Sequence, residues 1–104
     1  ARVREFPATV QDEMGYALCL AQIGEKHQSA KPLKGVGSGV LEVASDHRGD
    51  TFRAVYTLRF QDRVYVLHAF QKKSRKGIAT PQPDMALVKR RLARAAALHA
   101  AQEN

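Results

Sequence analysis

The sequence has few of the features on which secreted and membrane proteins depend. Its single cysteine, Cys19, excludes an intramolecular disulfide framework and fits a reducing compartment. No apolar run approaches the roughly 18 residues that span a membrane. The charged N-terminal segment also lacks the apolar core of a signal peptide. We therefore expect a cytoplasmic protein with no membrane partner.

Patterns that bind metals or nucleotides are also missing. No pair of His, Cys or carboxylate residues has a spacing such as HxxxH or CxxC. Gly35, Gly37 and Gly39 lack the GxGxxG order and follow no strand, so nucleotide binding is disfavoured. No serine has a convincing nearby base, and the aromatic base-stacking motif of RNA-recognition sheets is absent. We expect neither a metal nor a cofactor.

The chain does have the composition of a folded protein, and its charge is distributed unevenly between its two halves. Hydrophobic residues make up 44% of 104 residues, which predicts one domain spanning 1–104 with a single modest core. Residues 1–50 hold six Lys/Arg and seven Asp/Glu, a net −1, whereas residues 51–104 hold eleven and three, a net +8. A localised positive excess indicates binding to nucleic acid, an acidic protein or an anionic membrane.

Periodicity predicts a helix at each end of the chain. From Pro7 to a stop at Gly24, apolar residues recur at helical steps, and we place Cys19 among the core residues. Residues 25–39 are predicted to form a loop, and a short helical turn within them stays open as an alternative. A second helix follows Thr80, which we expect to cap it, with Pro81 at the first helical position. This helix is predicted to be amphipathic, with an apolar seam on one side and basic residues on the rest of its surface.

Three strands are predicted between the helices, over residues 40–44, 52–60 and 64–70. The short turns at residues 47–50 and 61–63 predict an antiparallel meander. In the middle strand, Arg53 and Arg59 lie on the face opposite Phe52, so we expect that face to be partly open to solvent or ligand. The fold class is therefore α+β, with an antiparallel sheet of three or more strands flanked by an N-terminal and a C-terminal helix.

The third strand runs directly into a cluster of cations, Lys72, Lys73, Arg75 and Lys76. Such a run is often only a solvated loop. Here a strand end fixes its start, so its cations can be aimed at a phosphate. Arg53, flanked by apolar residues, can grip two phosphate oxygens at once. These residues suit a polyanion, and RNA is the first candidate.

His68 is the best candidate for proton transfer, because an unperturbed imidazole titrates near neutral pH. The alternative is a histidine satisfied at the sheet edge. A sheet carrying Arg, His and Lys can cleave RNA if the ribose 2′-hydroxyl is the nucleophile. The cations then stabilise the phosphorane charge without a metal, and each preorganised donor contributes about a hundredfold in rate.

Several segments of the chain together carry a resemblance to a known family. The most specific is Leu67-His68-Ala69-Phe70-Gln71-Lys72-Lys73-Ser74 followed by the Thr80-Pro81 helix. The others are residues 31–35, 39–42 and 50–56. Together these segments resemble the phage-derived HigB-like branch of the RelE/ParE toxin superfamily, and the similarity extends from about Phe6 to Ala95.

The resemblance implies the toxin of a type II toxin–antitoxin system, an endoribonuclease that cleaves mRNA on the ribosome. It also implies a cognate antitoxin with a helix-turn-helix DNA-binding domain. By position, Arg53 corresponds to the arginine at the scissile phosphate, Lys72 and Lys73 to cations after the strand, and Lys34 to a basic residue at the RNA groove.

One departure from the resemblance bears on activity. Family members often have Glu-Leu-Arg where this chain has Glu42-Val43-Ala44, so one cation is lost. Two alternatives to a nuclease therefore stay open. One is a non-catalytic RNA- or ribosome-binding module, and the other is a protein whose positive surface receives an acidic partner.

Overall fold

The computed structural model describes residues 3–60, 63–72 and 80–103. A short 3-10 helix, Val3–Glu5, precedes helix α1 (Ala8–Gln22), and helix α2 (Gln82–Glu103) follows the sheet. The strands are β1 (Ala30–Pro32), β2 (Val40–His47), β3 (Asp50–Thr57) and β4 (Tyr65–Lys72). They form one antiparallel sheet in the order β1-β2-β3-β4. The predicted α+β architecture with two flanking helices is confirmed.

Helix α1 ends where the sequence predicts. Gly24 adopts a φ of 84°, its N–H donates to the carbonyl of Ala21, and the N–H of Glu25 donates to that of Leu20. These two bonds satisfy carbonyls that the last helical turn leaves unpaired, in the Schellman arrangement. Gly24 therefore fixes the point at which the chain turns towards the sheet.

The sheet of three or more strands that the sequence predicts has four, one beyond the three that were assigned to residues. β1 lies in the segment expected to be a loop, and its Pro32 is confined to an edge position, as a residue without an N–H requires. The turn between β2 and β3 is the expected one. Arg48 and Gly49 form its two central residues, with φ values of 51° and 87°, which matches the twist of a two-residue hairpin.

The loop between β1 and β2 is held by Arg59. The Arg59 guanidinium donates to the carbonyls of Val36 and Ser38 at 2.8–3.1 Å. Gly37 has a φ of 86°, and a Cβ there would lie 2.8 Å from an Arg59 nitrogen. Gly37 is therefore required both by its conformation and by the close approach of the guanidinium. Arg59 has a structural role here.

A helix covers each face of the sheet, and the way the two helices pack shows that two sequence expectations are wrong. α1 packs on the face that includes Phe52, Ala54 and Tyr56, and α2 packs on the opposite face, with Val88 and Leu92 in the same cluster as Val55. Arg53, Val55 and Thr57 are 6%, 0% and 0% exposed, so the face expected to be open is buried. Cys19, expected in the core, is exposed because α1 turns it away from the sheet.

A β-bulge in β4 sets the side chains that face α2. Val55 pairs with His68 but Tyr56 pairs with Val66, so Leu67 is an extra residue in β4. Leu67 and Phe70 both belong to the α2 cluster, whereas Val66 is 48% exposed. The bulge therefore sets the register in which Leu67, His68 and Phe70 face α2.

Candidate functional site

The end of the sheet nearest the β2–β3 turn brings several polar residues to the side covered by α2. Ala44 on β2 lies opposite Arg53 on β3, and Arg53 lies opposite Phe70 on β4. Lys72 follows Phe70 by two residues and so shares its face, diagonal to Arg53. The strand register thus unites Arg53 and Lys72, two residues predicted from the sequence as functional cations.

Glu42 connects these residues. Its Oε2 accepts hydrogen bonds from Arg53 Nη1 at 3.1 Å and from Thr80 Oγ1 at 2.9 Å, and Glu42 is 4% exposed. The Arg53–Glu42 ion pair is therefore almost fully desolvated. Removing one member of such a pair typically costs about 3–5 kcal/mol, since the other charge is left buried. Glu42 fixes the guanidinium on the sheet.

Lys72 is placed where a cation is electrostatically unfavourable. Lys72 is 5% exposed, and burial together with the neighbouring Arg53 guanidinium lowers the pKa of its ammonium below the ordinary 10.5. Glu42 opposes this shift but does not cancel it. Two cations thus lie close together in a buried position, an arrangement of charge that can bind an anion.

Lys34 lies on a groove beside this cluster. The groove has a volume of about 560 Å³, and its described lining includes Lys31, Lys34, Glu42, Thr80 and Met85. Lys34 is exposed, so its ammonium can follow a ligand in the groove while Glu42 forms part of the wall. We name the set Lys34, Glu42, Arg53, Lys72 and Thr80 the cationic site.

His68 lies on β4, four residues before Lys72 of the cationic site, and two residues of α2 contact its ring. Its Nε2 lies 2.7 Å from Asp84 Oδ1, and Arg91 Nη1 lies 3.4 Å from its Nδ1. Because a guanidinium only donates, Nδ1 is the acceptor and the proton resides on Nε2, directed at Asp84. The ring also stacks on Phe70, with centroids 4.9 Å apart. The predicted proton-transfer role of His68 stays a prediction.

The structure changes the role of Thr80 and leaves part of the basic cluster undescribed. The carbonyl of Pro81 accepts the first helical bond, from the N–H of Met85 at 3.0 Å, so Pro81 occupies the cap position. The expectation that Thr80 caps α2 is therefore wrong, and its hydroxyl binds Glu42 instead. The predicted cations Lys73, Arg75 and Lys76 lie outside the described residues.

Sequence reasoning missed Glu42, Asp84 and Arg91 as members of this region. The available signal for Glu42 was a carboxylate between Leu41 and Val43 in an apolar strand. Such a residue needs a partner when it is buried. No local pattern identifies the partners of His68, since Asp84 and Arg91 meet it only through the packing of α2 on β4.

Two wider features of the described residues concern metals and membranes. Within residues 3–60, 63–72 and 80–103, no three His, Cys, Asp or Glu side chains are grouped to hold a metal ion. Neither of the long helices in this part of the chain is apolar enough to cross a membrane.

Comparison with known families identifies the class of the protein. A model of the phage-derived Gp49-like protein family matches residues 1–93 of the 104, so the chain belongs to that family. This family is known as a family of the RelE/HigB toxin type and is associated with toxin–antitoxin systems, which implies an antitoxin partner. Comparisons with curated proteins and with solved structures gave no significant match. Assignment to the HigB-like branch itself stays a prediction.

Proposed function

We propose that this protein is the toxin of a type II toxin–antitoxin pair and an endoribonuclease that cleaves mRNA, on the ribosome, without a metal. The observation that carries the proposal is the placement of Arg53 and Lys72 close together in a desolvated position, where Arg53 pairs with Glu42 and lowers the pKa of Lys72. Burying two cations together is unfavourable for folding. An anionic ligand offsets that unfavourable term, which favours a phosphate-binding role over a purely structural one.

In the proposed reaction, the ribose 2′-oxygen loses its proton and forms a bond to the adjacent phosphorus. The bond from phosphorus to the 5′-oxygen breaks, and the 5′-oxygen gains a proton. The products are a 2′,3′-cyclic phosphate and a 5′-hydroxyl end. Arg53 binds the scissile phosphate through its planar fork, and Lys72 and Lys73 stabilise the charge of the phosphorane.

The remaining predicted residues have supporting roles in this proposal. Lys34, Arg75 and Lys76 bind the flanking phosphates of the RNA. His68 is the candidate for proton transfer, and its use in catalysis requires one ring nitrogen to leave Asp84 or Arg91. The cytoplasm, where mRNA and ribosomes are found, is the proposed location.

Expression of the wild type and of an Arg53→Lys variant tests the proposal. The lysine keeps a positive charge beside Glu42 but cannot bind two phosphate oxygens in one plane. We expect growth arrest with cleaved mRNA for the wild type, mapped by primer extension, and neither for a folded Arg53→Lys protein. Intact mRNA during the arrest contradicts a nuclease and favours a non-catalytic ribosome-binding module.

A further inference from the structure

An apolar groove lies at the opposite end of the sheet from the cationic site. It separates the start of β4 from α2 and has a volume of about 820 Å³. Val66 and Leu98, each 48% exposed, lie on it together with Leu87 and Tyr65. Large side chains exposed side by side are unusual on a soluble surface and mark an interaction site.

Three arginines, Arg90, Arg91 and Arg94, border this groove, which we name the arginine groove. Arg91 is engaged by the carbonyl of Leu67 at 2.9 Å and by His68. Arg90 and Arg94 are exposed and have no ion-pair partner in the described part of the chain. No acidic residue belongs to the groove's described lining. The groove therefore combines apolar anchoring surface with two cations ready to bind an acidic group.

The sheet edge adds backbone groups to this surface. β4 is the last strand in the sheet, and among the described residues it pairs only with β3. An edge strand offers N–H and C=O groups to an incoming peptide. A peptide has the donors and acceptors to satisfy such groups.

We propose that the arginine groove binds an acidic segment of the cognate antitoxin, one that carries apolar side chains to fill the groove. Charge complementarity selects an acidic partner, because Arg90 and Arg94 face no carboxylate here. The apolar floor and the sheet edge favour a peptide over RNA, which needs cations and stacking surfaces. A second copy of this chain, with a net charge of +7, is disfavoured by repulsion.

The groove and the cationic site are far enough apart to be tested independently. Lys72 pairs with Thr51, and Tyr65 pairs with Thr57. Those positions on β3 are six residues apart, about 20 Å along a strand. The inference rests on the family's antitoxin partner and not on cleavage of RNA. Loss of cleavage and loss of antitoxin binding are therefore separate results.

The test is an Arg90→Glu/Arg94→Glu variant, measured by calorimetric titration with the purified product of the reading frame adjacent to the gene. Both residues are exposed, so we expect folding to be retained. Arg91 is left intact because it holds Leu67 and His68. We expect binding to weaken about 30-fold or more, the loss typical of an interface hot spot. Growth arrest should persist and should no longer be relieved by the antitoxin.

Lys89→Glu is the matched control, because Lys89 is an exposed cation on α2 that does not line the groove. We expect Lys89→Glu to bind as the wild type does. Three results would overturn the proposal: no complex with the wild type, unchanged binding by the double variant, or equal weakening by the control.

Leu98→Asp probes the apolar part of the groove in the same titration. The aspartate places a carboxylate where the partner's acidic and apolar groups are expected, so binding should weaken at least as much as in the double arginine variant. A filter-binding assay with a single-stranded oligoribonucleotide tests the competing occupant. If the arginine substitutions weaken RNA binding but not antitoxin binding, the groove is a nucleic-acid surface and the proposal fails.

Discussion

The two cation clusters on this protein differ in what surrounds them. Arg53 and Lys72 are buried beside Glu42, whereas Arg90 and Arg94 are exposed beside an apolar groove. A buried cation is fixed in position and unfavourable for stability, which suits catalysis on a phosphate. An exposed cation has little effect on stability and acts on association with a partner. The two functions that we propose for these clusters therefore use charge of the same sign and differ in whether the cations are buried or exposed.

The largest effect we predict separates the two clusters by activity. Arg53→Lys should lower RNA cleavage by about a hundredfold or more, since the bidentate phosphate contact is lost. Arg94→Ala should leave cleavage unchanged, because Arg94 lies on the groove and not in the cationic site. Cleavage rates of both purified variants check this, with melting temperatures to confirm folding. Equal losses of cleavage rate in both variants would contradict the proposal that the cationic site, and not the arginine groove, cleaves RNA.

Ala44 offers a way to strengthen the cationic site. It lies opposite Arg53 on β2 and is half-buried, so an arginine there adds a cation next to the scissile phosphate. We predict that Ala44→Arg raises the cleavage rate about tenfold and lowers the melting temperature, because three cations then surround Glu42. An unchanged rate in a folded variant would show that this position does not reach the RNA.

His68 lies on β4 between Leu67 of the arginine groove and Lys72 of the cationic site, and it tests where the cationic site ends. Asp84→Ala removes the acceptor of the His68 Nε2–H and should destabilise the fold by about 1–3 kcal/mol. Asp84→Asn keeps an acceptor oxygen and should have a smaller effect. If His68 transfers a proton, both variants also change the pH dependence of cleavage. Denaturant unfolding and pH–rate profiles separate a role in catalysis from a role in holding α2.

The smallest effect that we predict is a pH dependence of the free energy of unfolding that is caused by Lys72. Its pKa is lowered in the folded state, so the protonated form disfavours folding at neutral pH. Lys72→Met should therefore raise the free energy of unfolding while it lowers cleavage. The advantage of the variant should shrink as pH rises through the lowered pKa towards 10.5, since wild-type Lys72 then loses its proton. Tyr56, whose pKa is raised by burial, is present in both proteins, so its contribution cancels in the difference between their free energies of unfolding.

A stability difference that is constant between neutral pH and 10.5 would contradict this account of Lys72. Denaturant unfolding of the two proteins at a series of pH values gives the comparison directly. Lys89→Met is the control, because it removes an exposed lysine of α2 that lies outside the cationic site.

Local patterns in the sequence were sufficient for the helices and for three of the four strands. Gly24 marks the end of α1 through backbone chemistry that acts within five residues. β1 was missed because three residues ending in Pro32 carry no alternation of their own and gain their order from pairing with β2. Cys19 and the supposedly open face were misjudged because burial depends on where the helices dock.

The candidate site was predictable only in part. Arg53 and Lys72 stood out as cations in or after apolar strands, and the register of β3 with β4 unites them. Glu42 and Thr80 are 38 residues apart in the chain, so no spacing rule links them. The contacts of His68 with Asp84 and Arg91 likewise arise from the packing of α2. Long-range contacts decide the electrostatics of the site, and a single sequence does not display them.

The most direct test of the central claim is the chemistry of the RNA ends. Purified protein is incubated with mRNA and ribosomes, with ribosomes omitted in a parallel reaction, and the fragments are analysed for their termini. A small amount of a transition-metal chelator leaves the ribosomal magnesium in place. We predict a 2′,3′-cyclic phosphate on one fragment and a 5′-hydroxyl on the other, for the wild type and Arg94→Ala but not for Arg53→Lys. Intact RNA with the wild type, or a 5′-phosphate at the cut, would contradict it.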